Sequence, residues 1–404
     1  MSQSAQLQPE PVPQSSVSAA HSPISQFRAQ AATRLDALDW PKRTDERWRF
    51  ADLKRASIDG FSPAPASQPL LEGADERIEI MTLEEGLTKY GEAVAAQLSN
   101  LEGKLGSEIF MAKAHAAETL VGTCIVVPKN VEIESPISLI REVEGDQTAA
   151  YSLTVILAGE NSKISVFERI QASASSSNLA IHATAISAAQ GAKTTYALSQ
   201  EMSDTSKFVH AAHSETGRDA QIRTFFGNFG SDWVRQECTP EMASPGADCE
   251  LLGLNLVDGV REFDQRTLQH HASGNAHSNL LFKNALFAKA KTIFAGLIQV
   301  DDNAHHTDSF QTCRNLLLSD EAEANSLPGL EINADQVRCS HGATNGQIDP
   351  EQLFYLNARG IPEVSARRLI TLGFANEVIS KIECEDIREI LIGLVTKRLR
   401  RLVG

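Results

Sequence analysis

Long apolar runs are missing from this chain; none approaches the roughly 18 residues that suggest a membrane-spanning helix. The first 25 residues, MSQSAQLQPEPVPQSSVSAAHSPIS, hold no apolar core and no arginine. That fits neither a secretory signal nor a transit peptide and predicts a disordered tail over 1–25. Cysteine is scarce and scattered, at 124, 238, 249, 313, 339 and 384, with no CxxC and no zinc-ribbon spacing. This argues against an exported disulfide framework and predicts reduced thiols in a cytoplasmic protein. Positive charge is short as well: 37 Lys and Arg against 52 Asp and Glu leave a formal charge of -15. Such a balance disfavours nucleic acid and anionic membrane as partners. There is no GxxxxGK[ST], no GxGxxG after a strand and no GxSxG, so neither a nucleotide site nor a serine-hydrolase elbow is visible. No paired acidic residues stand at a defensible catalytic spacing.

What is present is enough for a sizeable core. Hydrophobic residues make up 42% and charged residues 22% of 404 positions, in the range of a globular protein of two or three domains. Near the start, ISQFRAQAATRLDAL sets Phe27, Ala31, Leu35 and Leu38 on one helical stripe. LEEGLTKYGEAVAAQLSNLEGKL (83–105) reads as a second helix, giving an α-rich region over 26–117. From Thr119 to about Val337 the pattern changes to short runs rich in Val, Ile, Thr, Phe and Leu, separated by Gly, Asn, Asp and Ser. These are strand signals.

The strands repeat. In ENSKISVF, QGAKTTYA, RDAQIRTF, PGADCELL, GNAHSNLL and DNAHHTDS, a small residue follows a turn and precedes a strand. The small residues are Ser162, Ala192, Ala220, Ala247, Ala276 and Ala304, at spacings of 30, 28, 27, 29 and 28. One period held over about 140 residues is the signature of a solenoid. Coils that cannot bury an apolar face alone stack and share backbone hydrogen bonds. The reading is a parallel β-helix over 118–346. In this register His277 and His305 are equivalent. They form either a polar track on neighbouring rungs, with His270, His271 and His306 nearby, or a row of solvent-facing turn residues.

After Gly346 the pattern turns helical again, giving a C-terminal region over 347–404. Asp349 caps a helix, Pro350 suits its first turn, Gln352 stands at the capping-box position, and Gly360 ends it. Two amphipathic helices follow. Flanking helices are candidates to cap the ends of the solenoid.

The candidate chemistry lies in QVRCSHGATNGQ. Cys339 and His341 sit two apart, so on a strand they share a face. Thiolate and imidazole suit zinc, copper and iron–sulfur chemistry, but two ligands do not complete a site. A Gly- and Asn-rich turn is the alternative. Cys249 and Cys313 read as core. On residues alone, two classes stay open: a scaffold, or a β-helix enzyme acting on polysaccharide.

The run FQTCRNLLLSDEAEANSLPGLEINADQVRCSHGATNGQIDPEQLFYLNARGI resembles the core signature of the SufB/SufD family of iron–sulfur cluster assembly proteins. RWRFADL near Arg47 resembles the family's N-terminal element, and CSHGAT is similar to the SufD branch. The resemblance covers most of the chain after residue 25. It implies a mainly β fold, a right-handed parallel β-helix flanked by N-terminal and C-terminal helical regions. It also implies a non-catalytic scaffold subunit that pairs with SufB through the β-helix and with the SufC ATPase through the C-terminal helices. A homodimer in the absence of SufB, or a SufB-type scaffold holding a cluster alone, are further expectations. The cofactor implied is a transient Fe–S cluster shared with the partner, with no nucleotide on this chain. FADH2 is linked to the family's complex, but no motif here marks it. Carried over by motif, His341, with Cys339 beside it, is this chain's part of a nascent cluster site. Leu353, Phe354, Leu356, Leu369, Ile370 and Phe374 are the expected surface for SufC.

Overall fold

The computed structural model describes residues 22–402, so most of the expected tail lies outside the described residues. Where description begins, Ser22 already caps a helix, its hydroxyl accepting from Ser25 N at 3.3 Å. This helix, α1 (Pro23–Ala37), cuts the expected tail short, because Pro23 suits a first turn. Ile24, Phe27 and Ala31 make its buried stripe. The region up to residue 117 also holds α2 (Leu83–Ser99) and α3 (Glu108–Ala116). Three short strands lie there too: β1 (Ser62–Pro63), β2 (Leu70–Glu72) and β3 (Glu79–Thr82).

The solenoid then runs through β4 (Val121–Val127), β5 (Ile137–Val143), β6 (Thr148–Ala158), β7 (Lys163–Ala172), β8 (Leu179–Ala188), β9 (Lys193–Glu201), β10 (Lys207–Thr216) and β11 (Gln221–Asn228). It continues through β12 (Trp233–Met242), β13 (Asp248–Val257), β14 (Glu262–His271), β15 (His277–Leu286), β16 (Lys291–Val300), β17 (Asp308–Leu317), β18 (Glu323–Ile332) and β19 (Arg338–Gln347). Even-numbered strands from β4 to β18 stack in one sheet, odd-numbered strands from β5 to β19 in the other. Neighbouring rungs are parallel throughout. The mainly β fold flanked by helices at both ends is therefore the one expected from the repeat and the resemblance.

From β7 onward, each entry into the odd-numbered sheet uses one corner. The residue two before the strand has a left-handed backbone: Asn161 (φ 53°), Gly191 (69°), Asp219 (53°), Gly246 (76°), Asn275 (55°), His306 (60°) and Gln336 (58°). Asn, Asp and Gly adopt this conformation at the least steric cost. At Gly191 and Gly246 a Cβ would also collide with the side chains of Asn161 and Asp219 in the coil before. The next residue is buried, and a small side chain fits it: Ser162, Ala192, Ala220, Ala247 and Ala276.

The sixth corner corrects the sequence register. Asp308, not His305, pairs with His277, and Asp308 N donates to Ala276 O at 3.1 Å. Thr307 takes the small buried place that Ala304 was expected to fill, because this turn is three residues longer. His277 and His305 are therefore not equivalent, and no imidazole ladder forms between them. His306 supplies the left-handed corner residue instead.

The two ends differ. At the N-terminal end, β3 pairs antiparallel with β4 and β2 with β5, closing the first coil. At the other end β18 and β19 are the outermost strands. The C-terminal helices α4 (Pro350–Ala358), α5 (Glu363–Ile379) and α6 (Glu385–Leu402) do not bury themselves over that coil. Ala375, Val378, Ile379, Leu391 and Val395 instead join Phe225, Leu252 and Leu254 on the flank of the odd-numbered sheet. Lys283 pins the contact: its ammonium donates to Phe374 O at 3.0 Å, pairs with Glu377 and sits 4.2 Å from the Phe374 ring centre. The expected C-terminal cap is thus a side brace. Apolar flank residues found a larger buried area on the sheet face than on a row of strand-edge amides.

Candidate functional site

The last coil places the Cys-x-His pair on a regular strand. Cys339 is the rung partner of Ser309, and His341 of Gln311. Both partners are buried inside the solenoid, so Cys339 and His341 lie on the inward face where the bore ends. Their Cα atoms are about 6.7 Å apart on an extended strand. Cys339 is half-buried against Ile298, Val300, Ala304 and Val337, whereas His341 is exposed. Burial raises the Cys339 thiol above its ordinary value. It is therefore protonated at neutral pH. Gln311, the rung beneath His341, donates from Nε2 to Gln269 Oε1 at 3.3 Å, and its buried Oε1 has no partner among the described residues. The Gln311 side chain lies against Gln269 and Gly296 inside the bore.

The bore leading to this end is polar on one side. Asn228, Asn255, Asn284, Asn315 and Asn345 occupy one column, each Nδ2 donating to the next Oδ1 at 2.7, 2.6, 2.7 and 2.7 Å. Buried amides of this kind are stable only when paired, and an orphan costs about 1–3 kcal/mol. Their spacing of 27, 29, 31 and 30 residues follows the same repeat, a signal the alignment on small residues passed over. Asn345 is the last rung and is exposed. Deeper in, Asn228 meets Gln236 at 3.2 Å, and Gln236 meets His210 Nδ1 at 3.2 Å. Through Thr184 and Tyr196 the network reaches Glu168, which is fully buried with Arg141 and His182. Burial alone would raise the Glu168 carboxyl, but His182 and Arg141 beside it hold it well below the usual carboxylate range.

The rim of the open end is apolar. Phe310, Leu330 and Ile332 are each 38% exposed, beside a strand edge without a neighbour among the described residues. Bare apolar side chains on an open edge mark an association surface. Among the described residues no three His, Cys, Asp or Glu side chains gather into a metal cage. No helix there is long and apolar enough to cross a membrane.

The expected helical surface divides. Helix α4 starts at Asp349, whose carboxylate accepts from Glu351 N at 2.8 Å, and it buries none of its residues. The structure shows Asp349 bonding Glu351 N rather than the expected pairing with Gln352. Phe354 is 75% and Leu369 51% exposed. Leu353, Leu356 and Ile370 are half-buried around them. Phe374 points the other way, into the flank contact with Lys283. Tyr355, 57% exposed, belongs to the outward group and was not singled out from sequence.

Comparison with known proteins places these features in a class. Residues 141–374 match the family model described as SUF system FeS cluster assembly, SufBD core domain. The chain is 29% identical over 380 residues to an iron–sulfur cluster assembly SufBD family protein of Mycobacterium tuberculosis, covering 91% of this chain and 92% of that one. It is 25% identical over 291 residues to the iron–sulfur cluster assembly protein SufD of Bacillus subtilis, covering 71% of this chain and 66% of that one. It is 33% identical over 192 residues to SufD of Escherichia coli, covering 47% and 45%. The matched domain is an iron–sulfur assembly domain, and it runs from within β5 through the rest of the solenoid and α4 into α5. The chain belongs to the SufBD core family of the SUF system.

Proposed function

We propose that this chain is a SufD-type, non-catalytic subunit of a SUF assembly. It pairs with SufB across the open last coil and with the SufC ATPase through α4 and the exposed side of α5. Its cargo is an Fe–S cluster under construction, held only in transit. The observation that carries this reading is the position of Cys339 and His341 on the outermost strand, whose far edge has no neighbour among the described residues. Two ligands are too few for a cluster within one chain but sufficient when a partner strand supplies the rest. His341 and Cys339 would hold iron on this chain, as an imidazole and a thiolate, and the partner would supply the remaining ligands.

The test is coexpression with the organism's own SufB and SufC, wild type beside His341→Ala, followed by anaerobic iron and sulfide analysis of the purified complex. The expected result is an intact complex that loses most of its iron and sulfide. Equal content in both would place the cluster on the partner and leave CSHGAT as structure.

The helical surface gives a separate prediction. Among the described residues Phe354 is the most exposed large apolar side chain, and central aromatic anchors carry most of an interface's affinity. Phe354→Asp is expected to weaken capture of SufC by about tenfold or more, since losing an anchor costs ~2 kcal/mol. The same variant keeps SufB, because the open coil is untouched. Undiminished SufC in a pull-down with Phe354→Asp would refute this assignment. ATP-driven closure of paired SufC subunits would then pull on α4 and α5 and, through the Lys283 brace, on the coils behind the open end.

A further inference from the structure

The chain carries a charge of -15, yet one cleft on it gathers cations. It lies between the last turns of α6 and the corner after β9, and its volume is about 240 Å³. Met202, Phe229 and Leu394 form an apolar wall, and Lys397, Arg398 and Arg401 line the other side. Arg398 is 5% exposed and reaches Asp204 at 3.1 Å and Asp258 at 3.0 Å. Its Nε has no partner among the described residues. Arg401 meets Asp204 at 3.2 Å, and Arg261 meets the same carboxylate at 2.8 Å and Asp258 as well. The remaining acid, Glu201, is held by Arg169 through two bonds of 2.9 Å. Three arginines and Lys397 therefore stand against two carboxylates, Asp204 and Asp258, which the arginines already pair, a formal surplus of two positive charges in a half-enclosed site. Burial and the neighbouring Arg398 press Arg261 down to about 10, the behaviour of a crowded cation.

We propose that this cleft binds a small organic phosphate, its dianionic head on Lys397, Arg398 and Arg401 and its apolar body against Met202, Phe229 and Leu394. Guanidinium forks match phosphate oxygens in pairs, and charge-assisted bonds are about twice as strong as neutral ones. The apolar wall lowers the local dielectric and strengthens the attraction. The cleft is smaller than the ~300–1,000 Å³ of drug-sized sites, so the ligand is compact. A long polyanion is disfavoured by the charge of the rest of the chain.

The test is calorimetric titration of the full chain with phenyl phosphate, inorganic phosphate and benzoate at constant ionic strength. Phenyl phosphate is expected to bind one per chain and about tenfold more tightly than either fragment, because head and body each contribute at least ~1.4 kcal/mol. The double variant Lys397→Gln, Arg401→Gln is expected to lower that affinity about tenfold or more, because it removes two of the three cations assigned to the head. Both side chains are exposed, so the melting temperature of the free variant stays close to wild type and reports that it is folded. No saturable binding of phenyl phosphate would overturn the proposal, as would unchanged affinity in the double variant. Equal affinity for inorganic phosphate would overturn the apolar half of the ligand's description.

Discussion

Acidification from pH 7 to about 4 is expected to unfold this protein cooperatively, with a midpoint between about pH 4 and 5. The cause is four histidines kept neutral in the interior. Burial lowers His115 and His271 to about 3 and His213 to about 4, and takes His210 well below the ordinary value. Nearby positive groups add to this, Arg34 at His115, Lys104 at His213 and His270 at His271. In the unfolded chain each titrates near ~6.5. A depressed folded value means the stability is fully present above ~6.5 and is lost as pH falls toward the folded value. Each group then removes up to ~1.4 kcal/mol per pH unit, so four remove up to ~5. Against a total stability of ~5–15 kcal/mol, about two pH units below the onset are enough. His270 opposes the trend, since Glu241 and Asp301 raise it, but it is one group and partly solvated. Circular dichroism across the pH series, with proton uptake measured on unfolding, checks both the midpoint and the count. A chain that stays fully folded at pH 4, or takes up only one proton near the midpoint, would sink this account.

Replacing Glu168 by Ala is expected to cost about 3–5 kcal/mol in urea unfolding, the usual penalty for orphaning a buried charge. Glu168 is 0% exposed and holds Arg141, which is 7% exposed. Without it, Arg141 keeps only the hydroxyls of Thr123 and Thr154, at 3.0 and 3.1 Å. Tyr196 OH loses its acceptor at 2.8 Å, and His182 loses a carboxylate at 3.3 Å. The double variant Arg141→Met, Glu168→Met is expected to recover most of the loss, because no charge then remains to be desolvated. A cost below ~1 kcal/mol for Glu168→Ala would show that water enters the bore and solvates Arg141.

The period of the solenoid was legible because steric need repeats where coils crowd, and Ser162 through Ala276 record it. It failed at Ala304 because a turn lengthened by three residues keeps the corner chemistry but moves it to His306 and Thr307. The asparagine column has the same period and was equally readable, but amides look like turn residues until pairing shows them facing inward. Strands β1–β3 have two to four residues, too few for alternation to show. The helices α4–α6 were readable from Asp349, Pro350 and Gly360, yet not where they dock. An amphipathic pattern marks which face is covered and leaves its cover unnamed, which is why Phe374 was grouped with Phe354. For His341, the residues alone favoured a turn over a ligand, and only the family resemblance turned the reading toward a ligand. What the structure adds is its place on the last rung.

The asparagine column makes this solenoid a crystal grown in one dimension. From Asn228 onward each coil is laid on the face of the one before, in a register fixed by an amide as well as by the backbone. Nothing in such growth provides a last layer. The N-terminal face is finished by strands that run against the lattice, whereas the face bearing Asn345 is simply where the sequence stops adding layers. A face that can template but was never covered is a nucleus. On the pairing proposed above, another face of matching pitch covers it, and the supply of that partner then sets how much of this protein stays in solution as single assemblies.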